Sequence, residues 1–196
     1  MDSIMPVCSA AKRLMQLLCW LALPMTAQAA QFTINQAQVY QVGNGYSLNA
    51  TISYPLTPRV QEALENGVPI TFFQEIQLLD RTPILWNWWQ WDEIIWATEI
   101  RYELRYHDLS QQYMLHSLEA GNYRNFTTLA SALNAMGDID NFILPPAFTK
   151  TTDSTILRLR SGIDLTALPS PMRPGAMVSS KWDLTSDWFK AIWPSD

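Results

Sequence analysis

Apolar and polar residues alternate over residues 94–106, and this alternation limits the fold of the chain more than any other feature. The even positions from Ile94 to Tyr106 are apolar or aromatic apart from one threonine, and the odd positions from Glu99 to Arg105 are all charged. A period of two residues is typical of a β-strand with one buried face. The sequence therefore predicts a long strand with a core-facing side, which includes Ile94, and a solvent-facing side.

Four tryptophans stand close together just before this strand, and they are Trp86, Trp88, Trp89 and Trp91. A strand could bury the first two on one face and the last two on the other, but both faces would then need cover. Rigid amphipathic rings suit a protein interface or a lipid headgroup layer. We therefore predict these four tryptophans as candidate binding residues, with burial in the core as the alternative.

The N-terminus has the order of a secretory signal peptide. Lys12 and Arg13 precede the apolar residues 14–25, and Ala27-Gln28-Ala29 follows as a cleavage site. The apolar run is shorter than the ~20 residues that span a bilayer as a helix. We predict a signal peptide over residues 1–29, one β-rich domain over residues 30–196 and a periplasmic location. The alternative is a leader that is retained as an anchor.

Loss of the leader changes both cysteine content and charge. Cys8 and Cys19 lie inside it, so the mature chain has no disulfide, thiolate metal site or cysteine nucleophile. The 13 basic residues fall to 11 and the 18 acidic residues fall to 17, because Lys12, Arg13 and Asp2 are removed. A dispersed negative charge does not suit binding to nucleic acid or to an anionic membrane.

Further alternating segments predict a mainly β fold. They occupy residues 32–39, 46–54, 68–78, 113–117 and 155–161. The segments at 68–78 and 94–106 are expected to form an antiparallel pair with the tryptophans at their connection. Two short helices are predicted, one that begins at Thr57-Pro58 and one that begins at Thr128 and ends at Gly137.

The C-terminal third completes this prediction. The prolines in residues 168–174 cannot donate to a strand ladder, so this stretch is expected to be extended and irregular. Residues 181–193 are expected to form a final strand. Because no βαβ rhythm is present, the predicted fold is a single antiparallel β-sandwich-like domain with two short helices.

Two histidines form the one candidate catalytic region. His107 is followed by Asp108 at a strand end, and His116 lies in the next strand, so a hairpin could bring the two imidazoles together. A metal would need further ligands, and catalysis would need a nucleophile or pocket that the sequence does not show. Turn residues that satisfy backbone groups are the alternative. We therefore predict no catalytic residue, metal site or cofactor, and an envelope enzyme with a site near these histidines is the alternative function.

The charged row on the long strand is predicted to face solvent. Glu99 and Glu103 each have an arginine two residues away, which keeps them ionised and unreactive. Arg158 and Arg160 share one face of another predicted strand. We expect them to form cross-strand ion pairs with the glutamate row.

Several short motifs along the chain carry a family resemblance. They are Leu64-Glu65-Asn66-Gly67-Val68-Pro69-Ile70, Arg105-Tyr106-His107-Asp108-Leu109, Gln112-Tyr113, Phe126-Thr127-Thr128-Leu129, Leu168-Pro169-Ser170-Pro171-Met172-Arg173-Pro174, Trp182-Asp183-Leu184 and Asp187-Trp188. Together they resemble the DUF4390 family of proteobacterial exported proteins over essentially the whole chain from about Gln31. The resemblance brings no activity, cofactor or catalytic residue. In that family the genes often lie next to the gene of a membrane sensor kinase. The resemblance therefore implies an accessory role in envelope sensing.

From these observations we expect an exported periplasmic protein that acts by binding. The partner is predicted to be an envelope protein, and the family resemblance suggests a membrane sensor kinase. Peripheral contact with the membrane is the alternative for the tryptophan segment.

Overall fold

The computed structural model describes residues 31–84, 89–145 and 154–194. The predicted signal peptide and the tryptophans Trp86 and Trp88 lie outside these residues. The described strands are β1 (Thr33–Val42), β2 (Gly45–Ser53), β3 (Ile70–Ile84), β4 (Trp89–His107), β5 (Gln112–Ser117), β6 (Tyr123–Phe126), β7 (Asp138–Ile143), β8 (Thr155–Ile163) and β9 (Phe189–Lys190). The described helices are α1 (Pro58–Glu65), α2 (Leu129–Gly137) and α3 (Arg173–Met177), with a 3-10 helix at Leu165–Ala167.

The strands form two antiparallel sheets. The large sheet has the order β6-β5-β4-β3-β8-β9, and the small sheet has the order β1-β2-β7. The C-terminal segment joins the sheets along one side, because Ala191 N–H donates to Leu157 O at 2.9 Å and Ile192 N–H donates to Ala37 O at 2.9 Å. The predicted antiparallel β-sandwich-like fold is confirmed.

The core lies between the two sheets. Inward residues of β3, namely Ile70, Phe72 and Ile76, are fully buried. The rings of Phe32 and Phe72 stack with centroids 5.9 Å apart, and Tyr54 packs edge-on against Phe72 at 5.6 Å. The alternation of apolar residues therefore directs these side chains into one shared interior.

A small polar network is buried in this core. The Tyr54 hydroxyl lies 3.1 Å from Ser161 Oγ and accepts a hydrogen bond from Gln74 Nε2 at 2.9 Å. Gln74 Nε2 also donates to Met136 O at 2.8 Å. Burial raises the pKa of Tyr54 to about 12, because the phenolate would lose its hydration.

Both predicted helices are present with their predicted N-caps. Val60 N–H donates to Thr57 Oγ1, and Pro58 stands in the first turn, where a missing N–H leaves no hydrogen bond unmade. Ser131 N–H donates to Thr128 Oγ1 at 3.2 Å at the start of α2. A third short helix was not predicted. The stretch expected to be extended turns helical at Arg173, because Pro174 is tolerated within the first turn of a helix.

The predicted strands differ from the structure in three places, one of which is β6 (Tyr123–Phe126), a four-residue strand that was not predicted. The final strand predicted over residues 181–193 is reduced to β9, because this segment crosses from β8 to β1 and pairs only briefly with each. Strand β7 was not predicted, since it is rich in Asp and Asn and has Asn141 at a positive φ of 52°. Such residues are depleted in strands, so the pairing of β7 depends on its neighbour β2.

Candidate functional site

The hairpin of β3 and β4 extends beyond the strands that flank it. The two strands pair from Ile70 with Leu104 as far as Ile84 with Trp89, which confirms the predicted antiparallel pair. Among the residues that the structure describes, β8 pairs with β3 up to Asp80 on one side, and β5 pairs with β4 from Tyr102 onward on the other. We refer to residues 81–84 and 89–95 as the hairpin end and to residues 89–100 of β4 as the open edge.

A β-bulge marks the start of the hairpin end. Leu78 pairs with Trp96 and Leu79 pairs with Ile94, so Ile95 is an extra residue on β4. A bulge bends its strand and reverses the alternation beyond it. The prediction that Ile94 faces the core with Trp96 was therefore wrong, and Ile94 lies on the opposite face with 52% of its surface exposed.

The hairpin end exposes three large apolar side chains within five residues of β4, with Trp91 and Ile94 on opposite faces because they are three residues apart. Trp91 is 66% exposed, and Ile94 and Ile95 are each 52% exposed. We call these three residues the apolar patch. Trp89 pairs through its backbone with Ile84. The core alternative for the tryptophan segment does not hold for Trp91.

Charged groups lie around the apolar patch. The Arg81 guanidinium donates two hydrogen bonds to the Asp92 carboxylate at 2.8 and 3.0 Å, and this pairing lowers the pKa of Asp92. Glu93 lies directly opposite Asp80 on β3. Within the part of the chain that the structure describes, no basic side chain forms an ion pair with Glu93. The hairpin end therefore carries the ion pair of Arg81 and Asp92, whose charges cancel, and the carboxylate of Glu93, which has no basic partner among the described residues.

The open edge ends at Arg101. The Arg101 N–H donates to both carboxylate oxygens of Glu119 at 2.9 Å, and Leu118 N–H donates to Arg101 O at 3.0 Å. Alternate residues of a strand direct their backbone groups toward the same edge. The N–H and C=O groups of Ala97 and Glu99 therefore point to the same side as those of Arg101, away from β3.

The two histidines are not brought together. His107 pairs with Gln112, whereas His116 pairs with Glu103, which places the histidines at opposite ends of the β4–β5 ladder. Glu103, the partner of His116, lies four residues from His107 along β4, which is roughly 13 Å. His107 Nδ1 lies 3.1 Å from Ser110 Oγ within the turn, and the His116 ring stacks on Tyr123 at 4.0 Å. The alternative in which a hairpin brings the two imidazoles together does not hold, because the hairpin register sets them at different levels.

The arginines of β8 do not pair with the glutamate row of β4. Strand β3 lies between β4 and β8, so Arg160 donates to Glu75 at 2.7 Å and Arg158 donates to Gln77 at 2.8 Å. The Trp188 ring lies over both guanidinium groups, at 4.3 and 4.5 Å.

On the β4 side, Arg101 pairs with Glu99 and lies 3.6 Å from Asp164. The predicted pairing of Glu99 with its neighbouring arginine on the same strand is therefore confirmed. The pairing predicted for Arg158 and Arg160 with the glutamate row was wrong, because the strand order was not readable from the sequence. The described residues hold no group of three or more His, Cys, Asp or Glu side chains arranged to bind a metal.

Comparison with known families settles the relationship of the chain. The family model for DUF4390, described as a domain of unknown function, matches residues 29–191. The chain belongs to the DUF4390 family. The resemblance expected from the short motifs is thereby confirmed. No curated protein and no solved structure matches the chain.

The DUF4390 match covers all nine described strands, including the hairpin end and the open edge. None of the helices described in this chain is long and apolar enough to cross a membrane.

Proposed function

We propose that this DUF4390 protein is an exported, periplasmic binding protein of the cell envelope that contacts a partner protein through its hairpin end. The observation that carries the proposal is the exposure of the apolar patch, Trp91, Ile94 and Ile95, at a place where the hairpin extends past both flanking strands. Scattered single exposed apolar residues are normal on a protein surface, whereas three large ones within five residues of one strand are a concentration typical of an interaction site.

The composition of the hairpin end supports protein contact. Tryptophan is enriched among the residues that contribute most to binding free energy, and such residues are surrounded by polar groups that exclude water. Here Trp91 has the Arg81–Asp92 ion pair and Glu93 beside it. The arrangement has the apolar centre and the polar rim of a small interface.

The leader pattern and the family resemblance support the location and the kind of partner. A signal peptide over residues 1–29 would deliver the domain to the periplasm. An envelope protein is then the partner, and a membrane sensor kinase is the candidate that the resemblance implies. The domain would act as an accessory protein of such a system.

The test replaces the patch and measures partner capture together with stability. Full-length, tagged protein carrying Trp91→Ser and Ile94→Ser is produced in its own bacterium, and proteins that co-purify from envelope extracts are identified by mass spectrometry. We expect the loss of a partner that the unchanged protein captures, while the melting temperature stays the same, because both side chains are exposed.

A matched control comes from Leu109, which is 93% exposed at the β4–β5 turn, away from the hairpin end. Leu109→Ser should capture the partner as the unchanged protein does. Equal capture by the patch variant would refute the proposal. Unfolding of the patch variant would show that these residues support the fold.

A further inference from the structure

At Ala97 and Glu99, the open edge presents backbone groups with which no described strand pairs, beside exposed apolar side chains. Natural proteins usually cover or shorten a sheet edge, because a row of free N–H and C=O groups is a template for another strand. In the described residues, β4 has a neighbouring strand on this side only from Tyr102 onward. Ala97 and Glu99 therefore direct their backbone groups toward a position next to the sheet that no described strand occupies.

We propose that the partner binds by adding an extended segment to the large sheet as a new strand along the open edge. This inference depends on the proposed function and specifies how the partner is held. The main-chain hydrogen bonds would supply affinity, and contacts with Ile94 and Ile95 would select side chains at alternate positions of the added strand. The added strand ends where Glu119 and Leu118 occupy the edge at Arg101.

The charges beside the edge define the chemistry of that segment. Glu93, Glu99 and Glu119 place three carboxylates along it, beside the guanidinium of Arg101 and the mutually neutralised pair of Arg81 and Asp92. Glu99 and Asp164 already pair with Arg101, so the edge has a net negative charge. Because complementary charge steers and orients association, the added segment is expected to carry basic residues among its apolar ones.

The same charges disfavour two other occupants. A lipid layer deep enough to cover Trp91 would desolvate Glu93, which lies two residues further along the same face and for which no described basic partner exists. A second copy of this chain would bring the same three carboxylates to the edge. An extended, basic and apolar segment of a different protein fits best.

Photo-crosslinking tests the geometry directly. In full-length protein produced in its own bacterium, Ala97 and Glu99 are replaced one at a time by p-benzoylphenylalanine, with the same replacement of Leu109 as control. Since paired strands advance together by two residues, we expect adducts at both positions on one protein segment, with attachment points displaced by about two residues. Adducts on lipid, on a second copy of this chain, at scattered sites, or none at all would overturn the proposal.

A backbone variant separates this inference from the proposed function. Proline at position 97 removes an N–H that points to the open edge and leaves the ladder with β3 intact, so Ala97→Pro should fold and lose most partner capture. If Ala97→Pro captures normally while the patch variant does not, the strand-addition mode is wrong and the proposed function stands. If both capture normally, both are wrong. Should Ala97→Pro unfold, Glu99→Pro and the crosslinking pattern decide the question.

Discussion

The two halves of the β3–β4 hairpin share one continuous ladder but have opposite surroundings. In the lower half, which we call the hairpin root and which comprises residues 70–78 and 96–104, Phe72 and Leu104 are fully buried. In the hairpin end, Trp91 is 66% exposed. The root is flanked by β8 and lies against the small sheet, whereas the end extends past its neighbours. Backbone pairing alone therefore does not decide what a strand buries.

The β-bulge at Ile95 separates the two halves. It ends the alternation that holds Trp96 against the core and places Ile94 on the other face. One part of a strand can thus pack in the core while another part of the same strand presents its side chains for contact with a partner. The following predictions test this division, from the largest effect to the smallest.

The same substitution at three positions of β4 should have three different effects on stability. Leu104→Asp in the root places a carboxylate where the side chain is fully buried, and it should lower the free energy of unfolding by about 4 kcal/mol or more. Ile100→Asp, at a half-buried position against the core, should lower it by about 2 kcal/mol. Ile94→Asp, in the hairpin end, should change it by less than about 0.5 kcal/mol. Urea denaturation of the three variants measures the series, and equal losses would mean that root and end do not differ.

The buried hydroxyl of Tyr54 makes the free energy of unfolding depend on pH in the alkaline range. Tyr54→Phe removes its hydrogen bonds with Ser161 and Gln74 and should cost about 1–2 kcal/mol at neutral pH.

Because the folded state keeps the phenol protonated to about pH 12 and the unfolded chain ionises near 10.0, Tyr54 contributes fully below pH 10.0. That contribution is lost as the pH rises from 10.0 toward 12. The difference between the original protein and Tyr54→Phe should therefore narrow over this window. Parallel stability curves from pH 9 to about 12 would contradict the burial of this hydroxyl.

The ion pair in the hairpin end should have the smallest effect. Arg81 and Asp92 are partly exposed, so Arg81→Ser should lower the melting temperature only slightly at neutral pH. The pairing lowers the pKa of Asp92, so its contribution is present above the usual aspartate pKa and is lost as the pH falls through the lowered value. The variant and the original protein should then melt alike in acid. A large loss at neutral pH would show that the hairpin end is part of the cooperative core.

Much of the local structure was determined by the sequence itself. Period-two alternation predicted β2, β3, β4, β5 and β8, because the side chains of a strand alternate between its faces wherever it lies. Thr57 with Pro58 and Thr128 marked the starts of two helices, since capping depends on residues within one turn. The same local patterns predicted the exposure of Glu99, Arg101 and Arg105 and the position of Trp89 and Trp91 at the far end of the β3–β4 ladder, although Glu103 is half-buried.

Other features were decided only by the tertiary structure. The bulge at Ile95 depends on how β3 and β4 align over their full length, and the pairing of Arg160 with Glu75 depends on which strand lies between β4 and β8. The separation of His107 from His116 depends on the register of a hairpin. Whether Trp91 is buried depends on where β8 and β5 end. These properties arise from contacts between residues far apart in the chain, and no local pattern of side chains encodes them.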